Sequence, residues 1–172
     1  MIFRLGGKPR LSAGRALCDA AVRQARAETF YAAMGAPDTI EGRFELLTLH
    51  VILLIEALRG RGDAARATRQ ALFDAYLADL DGALREMGVG DLSVGKRMRE
   101  LGGAFYGRAA AYRKAFESLP DQTEVERLID RTILADRPGS NAATLADYVV
   151  RCRAALSAGP DLLTAEPAWA AP

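Results

Sequence analysis

Apolar residues recur every three or four positions along most of this chain, and no stretch alternates convincingly with the period of two that marks a strand. The pattern predicts five or six helices separated by turn signals, with no internal repeat. Ser12 is placed to cap a first helix that runs to about Met34, where Gly35 and Pro37 stop it. Asp38 and Thr39 open a second, ending in Arg59-Gly60-Arg61-Gly62. A third runs from a cap at Asp63 to Met87, before Gly88, and a fourth from Ser93 to about Ser118, before Pro120. Thr123 and Glu126 have the spacing of a capping box for a fifth, which ends before Pro138-Gly139. A sixth runs from near Asn141 to Ser157, and the tail after Gly159-Pro160 is expected to be loose.

The helices differ in character. Between Phe44 and Leu58 the second has almost no polar face, and a helix apolar all round must be buried on several sides. The expected architecture is therefore an all-α, single-domain bundle of five to six helices around a central apolar helix at about residues 39–59. A basic arm occupies residues 1–11, the helical domain residues 12–158 and a flexible tail residues 159–172. The fourth helix carries the cleanest amphipathic stripe: Val94, Met98, Leu101, Phe105, Ala109, Tyr112 and Phe116.

Composition adds little beyond this. The chain has 172 residues, half of them apolar, and a net charge of +1, so no global field recruits nucleic acid or lipid. Its two cysteines, Cys18 and Cys152, lie in helical patterns and read as reduced, half-buried thiols. No secretory signal is visible, and the early arginines read as a basic arm rather than a transit peptide. The longest apolar run, Leu46 to Leu58, is broken by Thr48, His50 and Glu56 and falls short of the ~20 residues that span a bilayer.

Catalytic chemistry finds no footing. The single histidine, His50, sits in the most apolar helix, where a core role with satisfied ring nitrogens is expected ahead of catalysis or haem ligation. A histidine-rich metal site is excluded by count, and no cofactor is expected. The run Gly90-Asp91-Leu92-Ser93-Val94-Gly95-Lys96-Arg97 has the glycines and lysine of a phosphate-binding loop. Arg97 stands, however, where a magnesium-binding hydroxyl belongs, and a helix rather than a strand precedes the run.

Charge is concentrated locally. Between Lys96 and Lys114 six bases, among them Arg97, Arg99, Arg108 and Arg113, face the single acid Glu100. Such a patch can meet RNA phosphate, anionic lipid or an acidic partner, or it can pair with acids of a neighbouring helix. Lys96, Arg97, Arg99, Tyr106, Arg108 and Arg113 are the candidate partner-binding residues. Gly102, Gly103 and Gly107 would let a second backbone, internal or external, approach this helix.

Three stretches in order carry a family resemblance. The first is Phe30-Tyr31 followed by Pro37-Asp38-Thr39-Ile40-Glu41-Gly42-Arg43-Phe44, and the second is Leu49-His50-Val51. The third contains Phe73, Asp79, Leu84-Arg85-Glu86-Met87-Gly88-Val89-Gly90-Asp91, Val94, Lys96, Met98, Phe105-Tyr106-Gly107-Arg108 and Tyr112. Together, over about residues 28–116, they resemble the ubiquinol–cytochrome c chaperone family. The resemblance implies a non-enzymatic helical assembly factor for the cytochrome bc1 complex. It implies contact with newly made cytochrome b or another bc1 subunit, a small partner protein and the ribosome. A bacterial version would act in the cytoplasm, at the inner face of the inner membrane, with peripheral membrane association. Mitochondrial members tend to carry tryptophan where this chain has Arg43 and Ile52. The competing readings are an RNA- or ribosome-binding helical module and a small-molecule or haem carrier using His50.

Overall fold

A computed structural model describes residues 8–135 and 142–172, with side chains from Leu11 onward. It contains seven helices among the described residues: α1 (Lys8–Ala25), α2 (Glu28–Ala32), α3 (Ile40–Ala57), α4 (Gly62–Glu86), α5 (Asp91–Phe116), α6 (Thr123–Thr132) and α7 (Ala142–Ala158). The predicted first helix is two. Neither proline nor glycine explains the break at Arg26-Ala27. The Tyr31 hydroxyl donates to the Ala25 carbonyl at 2.8 Å, taking up a group that the end of α1 leaves free. The turn then lets Phe30 enter the core against His50 and Tyr148. Ser12 lies inside α1 rather than capping it, so the helix reaches back into the expected basic arm, whose first seven residues lie outside the described ones.

Helix α3 takes the central place predicted for it. The Thr39 hydroxyl accepts from the Gly42 backbone N–H at 3.1 Å and caps it. Its faces meet α1, α4, α5 and α7, which is why residues Leu46 to Leu54 are almost all buried. The Thr48 hydroxyl shares a hydrogen bond with the Tyr76 hydroxyl at 2.8 Å, fixing α3 to α4 in the core. Helix α6 differs from expectation at its start. Asp121 accepts from both the Thr123 backbone N–H (3.0 Å) and its hydroxyl (2.6 Å), so the Thr123–Glu126 box is not formed. The predicted breaks at Pro138-Gly139 and Asn141 lie outside the described residues.

At Gly14 the backbone of α1 lies directly against α4. A β-carbon there would stand 2.5 Å from the Ala71 β-carbon and 2.7 Å from the Leu72 backbone nitrogen. A backbone cannot yield as a flexible side chain does, so Gly14→Ala should push the two helices apart. The expected cost is about 1–3 kcal/mol, read as a lower midpoint in urea with an unchanged slope. An unchanged midpoint would show that the crossing is looser than drawn.

The segment after α7, expected to be loose, lies along the bundle. Leu162 is buried in the core, and Trp169 and Ala170 pack against it.

Candidate partner-binding surface

The six residues singled out in the sequence all lie on α5, but the structure divides them. Arg108 is turned inward. Its Nε and Nη2 donate to the two carboxylate oxygens of Glu45 on α3, and its guanidinium lies 6.0 Å from the centre of the Phe44 ring. The side chains of the pair are only 26% and 10% exposed, and the carboxylate beside it holds the Arg108 guanidinium above its usual pKa. Arg113 donates from Nη2 to Glu56 of α3 at 3.0 Å, and Arg59 lies 3.7 Å from the same carboxylate. These two arginines therefore join α5 to the central helix. The signal for this was present in the sequence: Glu45 and Glu56 are acids inside an apolar helix, and a sheltered carboxylate needs a cation.

The remaining members form the outward part. Arg97 donates to Glu100 one turn away at 3.0 Å, with both side chains largely exposed. Lys96 and Arg99 are exposed and have no ion pair among the described residues. Tyr106 is 63% exposed, and its ring is tilted against that of Phe73 with 5.3 Å between centres.

These groups border a part of the molecule with little core. From Leu77 of α4 to Ala104 of α5, only Val94 is buried. At the turn between the helices Leu92 is 102% exposed and Met87 51%. A shallow depression of about 360 Å³ runs between Val89, Gly90, Ser93, Lys96 and Arg97. The phosphate-loop-like run is thus the α4–α5 turn and the first turns of α5, with a helix in front of it. Beside Gly102, Gly103 and Gly107 a β-carbon would meet nothing within 4 Å. The close approach that these glycines permit is not made by any part of this chain that is described.

His50 is closed off. Its Nδ1 lies 2.7 Å from the Leu46 carbonyl, which can only accept, so Nδ1 carries the proton. Its Nε2 then accepts from the Tyr148 hydroxyl at 2.7 Å, and Gln24 donates to that hydroxyl at 3.0 Å. Both ring nitrogens are engaged, and burial pulls the imidazole pKa down to about 4. Among the described residues no cluster of histidine, cysteine or acidic side chains could hold a metal ion, and no helix is long and apolar enough to cross a membrane.

Most polar groups of the core are hydrogen-bonded, Tyr112 Oη and Arg113 Nε excepted, and exposed cations border an open face where α4 turns into α5. A profile of the family described as Ubiquinol-cytochrome C chaperone matches residues 32–169. The chain belongs to this family. It is similar to the crystal structure of the Cbp3 homolog from Brucella abortus, at 35% identity and a TM-score of 0.82, over 92% of this chain and 88% of that one. No curated protein matches it.

Proposed function

We propose that this protein assists assembly of the cytochrome bc1 complex by covering an apolar segment of newly made cytochrome b with the α4–α5 hairpin. Family membership supports the client. The observation that carries the choice of surface is the coincidence of exposed Leu92, Met87 and Tyr106, unobstructed glycines on α5, and the unpaired cations Lys96 and Arg99. Apolar area of this kind, left open on a soluble bundle, marks an interaction site. The basic border suits phosphate, whether of an anionic leaflet at the inner membrane face or of ribosomal RNA at the exit of a nascent chain. Arg108 and Arg113 belong instead to the frame that holds α5 in place.

The test follows from that division. Changing Lys96, Arg97 and Arg99 together to glutamate alters no buried contact, so the melting temperature should stay within a few degrees of wild type. Assembled bc1 complex, measured by its haem b absorbance in membranes, should fall severalfold. Full assembly with the folded triple variant would remove the basic border from the mechanism. Retained assembly together with loss of salt-sensitive binding to bulk RNA would favour an RNA-binding role instead.

A further inference from the structure

The segment after α7 packs on the bundle. Residues 165–172 read Ala-Glu-Pro-Ala-Trp-Ala-Ala-Pro, an apolar run with one aromatic side chain and two prolines. It forms no helix, yet it touches α1 through Arg23, α3 through His50 and α7 through Arg151. The Trp169 ring meets the buried His50 ring edge to face at 5.3 Å. Ala168 approaches Gly159 so closely that a β-carbon on the glycine would stand 3.1 Å from it.

The way this segment is held sets it apart from the rest of the core. The Arg151 side chain, steadied by Asp147 at 2.7 Å, donates to the Ala171 carbonyl at 2.9 Å. Burial pushes the Cys152 thiol pKa up, opposed in part by the Tyr148 side chain and by the Ala170 backbone beside it. The Arg151 bond is to a main-chain atom, so another backbone following the same path can reproduce it; that path turns at Ala168, where the Trp169 N–H donates to the Pro167 carbonyl at 3.1 Å. The only salt bridge joining tail to bundle among the described residues, Arg23 with Glu166 at 2.9 Å, has partners 61% and 72% exposed and contributes little to retention. The specific element is the slot beside His50 that receives a flat aromatic ring.

We propose that the seam beneath this segment is a peptide-docking groove whose resting occupant is the chain's own residues 165–172. An apolar segment of a partner, bearing an aromatic side chain and able to make the same turn, takes the place of residues 165–172. The bound tail is the argument for the occupant, since it displays the length, apolarity and single aromatic anchor that the seam accepts. The inference rests on the chaperone reading only for the source of such segments. The tail then acts as a strap that lowers the apparent affinity of the groove by the fraction of time it is closed.

A variant ending at Thr164 tests this against the full chain, using two labelled peptides in an anisotropy titration. One has the sequence of residues 163–172. The other is an unrelated lysine-ended apolar peptide with one phenylalanine. The truncated, folded protein should bind both, and the full chain roughly tenfold or more weakly, as a mostly closed strap requires. Trp169 is the sole tryptophan. Its emission in the full chain should therefore move to the red as unlabelled phenylalanine peptide is added and the indole leaves the seam. Should truncation disturb folding, Trp169→Ala in the full chain serves for the same titration. Failure of the open variant to bind either peptide would overturn the proposal, as would equal binding by the full chain. Binding of the tail peptide alone would reduce the seam to an internal brace and overturn it equally. None of these outcomes touches the assembly reading, whose readout is bc1 content in membranes.

Discussion

Replacing Arg108 with alanine should lower the free energy of unfolding by about 3 kcal/mol, the loss expected when one partner of a sheltered ion pair is removed. The reason lies with the group left behind. The Glu45 side chain is 10% exposed and accepts both hydrogen bonds of the Arg108 fork, so without it a carboxylate is stranded in an apolar helix. It must then admit water between α3 and α5. Urea denaturation of Arg108→Ala, Glu45→Leu and the double variant checks this. The double variant should recover much of the loss, because two apolar side chains can replace a sheltered pair at little cost. A change below about 1 kcal/mol in Arg108→Ala would place the pair in the class of surface bridges. An assembly defect caused by altering Arg108 is therefore a folding defect first, whereas one caused by altering Arg99 is not.

A comparable effect is expected from acid. His50 is the only histidine, its usual pKa is 6.5, and in the folded chain it falls to about 4. The cause is burial, opposed in part by the Leu46 carbonyl. A second proton on Nε2 would also confront the Tyr148 hydroxyl, which already donates there. Between pH 6.5 and pH 4 the unfolded chain binds this proton and the folded chain does not. Stability is thus fully present above pH 6.5 and is lost as pH falls towards 4, by about 3 kcal/mol in all. Chemical denaturation across this range, compared with His50→Gln, isolates the contribution because the variant has no imidazole to titrate. Parallel curves for the two proteins would mean that the imidazole is not held neutral.

The central helix could be read from sequence because its evidence was local. Thirteen positions from Leu46 to Leu58 with three polar interruptions can only be a buried helix, and Thr39 stood at its cap. His50 was legible for the same reason, since its neighbours left it no solvent. What sequence hid depended on distant residues. The α1–α2 break has no local breaker and follows from where Phe30 must sit, between rings contributed by α3 and α7. Glu45 and Glu56 signalled that the central helix needs cations, but which bases of α5 supply them was hidden, because Arg108 and Glu45 are 63 positions apart. The tail is expected to be loose from Gly159-Pro160, Glu166-Pro167 and Pro172. Leu162 and Trp169, two large apolar side chains whose partners the sequence does not reveal, pack on the bundle.

The two thiols mark different seams. Cys18 lies between α1 and α4, its sulfur 3.6 Å from an Asp79 oxygen, and burial pushes its pKa up to about 12. Cys152 lies beneath the tail. Neither can form a thiolate readily while its surroundings are closed, so alkylation must wait for a local opening. The chain thus carries a pair of built-in clocks: one keeps time for separation of the two longest-packed helices, the other for lifting of the last few residues, and their rates can be told apart by mass.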